Sequence, residues 1–77
     1  MNKARRKRLE EAQQKLEEAK DIIEECKDEE QDAYDNLPES FQDGEKGSAM
    51  SEAIDAMDSA CDDLETVLSY VQDAIDV

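Results

Sequence analysis

Leu9-Glu10-Glu11-Ala12, Leu16-Glu17-Glu18-Ala19 and Ile23-Glu24-Glu25-Cys26 are three versions of one seven-residue phrase. Apolar residues continue to Ala33 and Leu37 in alternating steps of three and four, and only Glu30 interrupts them. A period of 3.5 residues is the mark of a helix whose apolar seam faces another helix. In heptad terms Leu9, Leu16, Ile23, Glu30 and Leu37 take a positions. Ala12, Ala19, Cys26 and Ala33 take d positions.

The pattern stops at Asn36-Leu37-Pro38. A residue before proline avoids helical geometry, so a first helix is expected over about 9–35. A turn is expected over 36–43, with Phe41 tucked under its tip and Gly44 and Gly47 marking the connection. Asp43 and Ser48 are both chemically suited to cap a second helix over about 44–76. That helix carries Ile54, Cys61, Leu68 and Ile75 at a, and Met50, Met57, Leu64 and Val71 at d. Beside this seam runs a second row at g: Ala53, Ala60, Val67 and Ala74.

Two long helices joined by a short connection fold back antiparallel. Facing residues in such a hairpin have numbers that add to a constant. One total, 87, pairs Leu37 with Met50, Ala33 with Ile54, Glu30 with Met57 and Cys26 with Cys61. The same total pairs Ile23 with Leu64, Ala19 with Leu68, Leu16 with Val71 and Ala12 with Ile75. Small residues then face large ones. Lys20 comes near Glu65, and Lys27 near Asp58. The expected fold class is all-α: two long antiparallel helices forming a coiled-coil hairpin. A single seam gives a thin core for so short a chain. The row Ala53, Ala60, Val67 and Ala74, with Ile22 from the first helix, is therefore read as a self-association stripe. It would join two hairpins into a homodimeric four-helix bundle.

Charge is unevenly spread over the 77 residues. Residues 1–8 hold five basic groups and no acid, and are expected to fray as a basic extension, because cations oppose the dipole at a helix start. Residues 47–77 hold eight acids and no base. The net charge is -14, so residues 9–77 carry -19 once the five basic groups are set aside. Direct nucleic-acid binding by residues 9–77 is disfavoured, and so is attraction to an anionic membrane. No apolar run approaches the roughly 20 residues of a membrane span. No secretory apolar core opens the chain, so the expected compartment is the cytoplasm.

The absence of histidine removes the commonest general base and metal ligand, and no enzyme activity, metal or cofactor is expected. Cys26 and Cys61 are a possible redox pair if they share a layer, or two small apolar residues if the compartment keeps them reduced. The basic segment Lys3 to Arg8 has two readings, a solubilising end or a grip on nucleic acid. The informative surface is acidic. Glu17, Glu18, Asp21, Glu24, Glu25, Asp28 and Asp32 form a ridge on the first helix. Asp55, Asp58, Asp62, Asp63 and Glu65 continue it on the second. A rod with regular carboxylates has the charge layout of a nucleic-acid backbone. Its expected partner is a host protein with a basic surface. The competing reading is an ordinary solvated coiled-coil face, in a structural module whose partner is itself.

The turn block Asp35-Asn36-Leu37-Pro38-Glu39-Ser40-Phe41-Gln42, followed by Gly47, Met50 and Glu52-Ala53-Ile54-Asp55, resembles small acidic helical proteins encoded by prophages and mobile elements of Gram-positive bacteria. The resemblance implies a phage accessory protein. By analogy it points to anti-CRISPR and other anti-defence inhibitors that mimic nucleic acid. It carries over no functional residue.

Overall fold

A computed structural model describes residues 1–77. The chain is all-helical: α1 (Lys3–Asp35), the single-turn α2 (Glu39–Gln42) and α3 (Glu45–Asp76). α1 and α3 run side by side and make most of the contacts between helices, with α2 packed on α3. The molecule measures 58 × 14 × 13 Å, with a radius of gyration of 17.3 Å. A compact chain of this length would have a radius near 11–12 Å, so the hairpin is a rod.

The axial register follows the charge pattern. Lys20 Nζ donates to Glu65 Oε1 at 2.9 Å, and Lys27 Nζ to Asp58 Oδ1 at 3.2 Å. A third rung lies one heptad further on, where Gln13 Nε2 donates to Gln72 Oε1 at 2.7 Å. All three rungs lie along one edge of the hairpin.

The rotation of α1 about its own axis differs from the expectation. Ala12, Ala19, Cys26 and Ala33 are exposed. The half-buried row is Leu9, Gln13, Leu16, Lys20, Ile23, Lys27, Glu30, Tyr34 and Leu37, which is a with e rather than a with d. Burial favours this choice. An alanine has one methyl group to hide, whereas a lysine stem covers far more apolar surface while its ammonium stays wet. The side chain of Lys20 is only 18% exposed and that of Lys27 27%. α3 keeps its expected face: Met50, Ile54, Met57, Leu64, Leu68 and Val71 are half-buried, and Cys61 and Ile75 are buried. The small-against-large layers of Ala12, Ala19 and Ala33 are therefore not formed.

The turn is tighter than a loop. α1 ends at Asp35, and Pro38 starts α2, whose Phe41 and Gln42 amides donate back to the Pro38 carbonyl. Phe41 lies 57% exposed instead of under the tip, because α2 turns it outward. Gly44, not Asp43 or Ser48, is the N-cap of α3, and no side chain caps it. Gly47 lies within α3 and is buried. A Cβ there would collide with the Gln42 backbone, so α2 crosses α3 where only a hydrogen fits. No glycine has positive φ. Space, not conformational freedom, is what this position requires.

The N-terminal basic segment is also helical. Residues 3–8 form the first two turns of α1, capped by Asn2, whose Oδ1 accepts from Arg5 N at 2.8 Å. Arg6 reaches across the hairpin, donating from Nε to the Ile75 carbonyl at 3.0 Å and from Nη2 to the Val77 carbonyl at 2.9 Å. α3 has no base in its own last turn. A guanidinium supplied by α1 satisfies its carbonyls and complements the negative end of its dipole.

Candidate functional site

The acidic ridge is an outward surface on both long helices. Glu17, Glu18, Asp21, Glu25, Asp28 and Asp32 on α1 are exposed, as are Asp55, Asp58, Asp62, Asp63 and Glu65 on α3. Glu24 is half-buried. The ridge is not uniformly free. Lys20 pairs with Glu65 at 2.9 Å and with Glu24 at 3.5 Å, and Lys27 pairs with Asp58 at 3.2 Å. Three of the twelve sequence-derived carboxylates are thus engaged inside the molecule. The hydrogen bond from Lys20 lowers the Glu65 pKa below the usual carboxylate value. The bonds to Glu65 and Asp58 raise the pKa values of Lys20 and Lys27. The fold brings Asp28, Asp55 and Asp58 together around an open groove, with Lys27, Gln31 and Ile54 completing its wall.

The cysteines do not form a pair. Cys61 is 4% exposed, Cys26 is exposed, and both are free thiols. The rotation of α1 accounts for the separation, since it turns the whole d column away from α3. Burial pushes the Cys61 thiol pKa up, with Glu24 adding to the shift. A buried, protonated thiol is a poor nucleophile.

The proposed stripe is split by burial. Ile22 is 60% exposed and Val67 41%, while Ala53, Ala60 and Ala74 are half-buried. Since the exposed d column of α1 lies beside Ile22, the open apolar edge is wider than the sequence suggested. At the basic end, Lys3, Arg6, Lys7 and Glu10 surround a second open depression. The role of Arg6 as a cap for α3 was missed at the level of sequence. Its signal was the base-free last turn of the second helix, which leaves its carbonyls for another element to satisfy. Gln42 was missed in the same way: its Nε2 donates to the carbonyls of Tyr34 at 3.1 Å and Leu37 at 3.2 Å, closing the end of α1.

No group of three or more His, Cys, Asp or Glu side chains converges as a metal site. No helix is long and apolar enough to cross a membrane. No protein-family model, curated protein or solved structure matches the chain.

Proposed function

We propose that this chain is a non-catalytic inhibitor, carried by a phage or mobile element, that binds a basic nucleic-acid site on a host defence protein. On this reading it is an anti-CRISPR-like mimic acting in the host cytoplasm. The observation that carries it is charge density. A net charge of -14 along a 58 Å rod is about one charge per 4 Å. A single nucleic-acid strand presents about one per 3.4 Å, and a duplex about one per 1.7 Å. The surface therefore matches a strand better than a duplex. The nine carboxylates without an internal partner supply the contacts: Glu17, Glu18, Asp21, Glu25, Asp28 and Asp32 on α1, with Asp55, Asp62 and Asp63 on α3.

The test is capture from host lysate at low salt on the immobilised chain. A nucleic-acid-binding protein should be retained, released by raising salt and displaced by single-stranded DNA. Replacing Asp55, Asp62 and Asp63 with Asn should lower its retention severalfold. Recovery of no nucleic-acid-binding protein counts against the reading.

A second reading, a structural module that associates with itself, is favoured by the thinness of the core. Only Gly47, Cys61 and Ile75 are buried, and α1 has no buried residue. A homodimer would complete that core as a four-helix bundle. The two readings are compatible, because a dimer also presents the ridge.

A further inference from the structure

We propose that Phe41 is a base mimic: its ring enters the stacking site of a protein that binds single-stranded nucleic acid, while Glu39 and Asp43 take the place of the flanking phosphates. The inference rests on the inhibitor reading and names the class of site that the rod blocks.

The closed end of the hairpin exposes a phenyl ring. Phe41, the only phenylalanine of the chain, is 57% exposed. A single exposed apolar residue needs no special cause. What distinguishes Phe41 is how firmly its backbone is held. Its amide donates to the Pro38 carbonyl at 2.8 Å, and its carbonyl accepts from Gly44 N at 3.2 Å. The next residue, Gln42, is held on two sides. Its side chain donates to the Tyr34 and Leu37 carbonyls at the end of α1. Its backbone lies against Gly47 of α3, too close to leave room for a Cβ. Phe41 is therefore carried on a single helical turn anchored to both long helices. Only its side-chain torsions remain for a partner to fix, which keeps the entropic cost of binding low.

The surroundings of the ring are acidic. Residues 35–45 hold four acids and no base, and the first base beyond them is Lys46. Asp35, Glu39, Asp43 and Glu45 are all exposed, and none of them enters a salt bridge. Such a tip repels an anionic membrane, and it repels the same tip of a second copy. It suits a basic site that also offers a surface for the ring. Glu39 and Asp43 stand two residues before and two residues after Phe41. A nucleotide strand has the same layout, an aromatic base with an anionic group on either side along the chain. Sites for single strands answer it with a positive groove and with aromatic side chains on which bases stack. A duplex hides the faces of its bases, so a presented ring selects a single-strand site. The charge spacing of the rod, one per about 4 Å, points to the same class.

The probe is the pool of host proteins that bind to and elute from single-stranded DNA cellulose, passed at low salt over the immobilised full chain. The wild-type chain should retain a protein from this pool. Phe41→Ala should lower its affinity on the order of tenfold, the usual scale of one lost base–aromatic stack. Phe41→Trp should keep the affinity, because an indole also stacks, and Phe41→Leu should lose it as alanine does. Retention of nothing by the wild-type chain overturns the inhibitor reading and this proposal together. Equal retention by wild type and Phe41→Ala overturns the proposal and leaves the inhibitor reading standing. Rescue by leucine as full as by tryptophan overturns stacking, since a plain apolar pocket then explains the contact. Helical circular dichroism should be the same in all four chains, because Phe41 is more than half exposed. Loss of helix in Phe41→Ala would show that the ring holds the turn together, and would overturn its role as a free anchor.

Discussion

At the scale of single residues, Gly47 fixes how the turn meets the second helix. Alanine is favoured over glycine inside a helix by about 1 kcal/mol. At position 47 its methyl group would strike the Gln42 backbone. Gly47→Ala should therefore destabilise the hairpin by about 1–3 kcal/mol despite the better propensity. Urea unfolding followed by circular dichroism measures it, and a stabilised variant would show that the crossing relaxes at no cost. Lys20 and Glu65 give a pH signature. Glu65 has a lowered pKa in the fold, so its contribution is present above its unfolded value and is lost as pH falls through the folded one. Lys20 has a raised pKa, so its contribution is present below its unfolded value and is lost as pH rises through the folded one. Glu65→Gln should lower the melting temperature between those limits. The gap from wild type should close at acid and at strongly alkaline pH. A gap independent of pH would exclude the ion pair as its cause.

At the scale of elements, each long helix has its C-terminal carbonyls closed by a side chain from elsewhere. Gln42 serves α1, and Arg6 serves α3. Arg6→Ala should cost about 1 kcal/mol, the net worth of a typical hydrogen-bonded contact. Amide exchange should accelerate at both Lys3–Arg8 and the last turn of α3. Arg6→Lys should rescue only part, since an ammonium keeps the charge but loses the two-pronged geometry. Exchange that rises at one end alone would mean that the ends are not coupled. Ile75 lies in the same last turns and is 9% exposed. Ile75→Ala should cost about 2 kcal/mol, the low end for a core truncation, because the site is near the rod's open end. Chemical denaturation reads this directly.

At the scale of the whole molecule, the rod has a net charge of -14 and few internal ion pairs. Four salt bridges are formed, and only two of them join the helices. Self-repulsion therefore outweighs these attractions. Added sodium chloride should raise the melting temperature, because screening relieves the repulsion. A fall with salt would show that the bridges at Lys20 and Lys27 dominate. The same salt should release a basic partner, so stability and binding should move in opposite directions.

The sequence by itself determined the two long helices, though not the helical start at Lys3 or the short α2, together with the break before Pro38, the antiparallel return and the axial register. Periodicity and charge are one-dimensional, and both advance in seven-residue steps along the rod, so Lys20 meets Glu65 and Lys27 meets Asp58. The twelve ridge carboxylates were legible for the same reason, and all but Glu24 are exposed. Only the tertiary structure decided how far α1 turns about its own axis. Moving the seam from a with d to a with e is a rotation of about 50°, which periodicity leaves almost unchanged. It is settled by area: the stems of Lys20 and Lys27 cover more apolar surface against α3 than a column of alanines would. That rotation separates Cys26 from Cys61, and it turns Ala12, Ala19 and Ala33 out of the seam. The placement of Arg6 and Gln42 was likewise set in three dimensions, because a carbonyl at a helix end accepts from whichever donor the fold brings near.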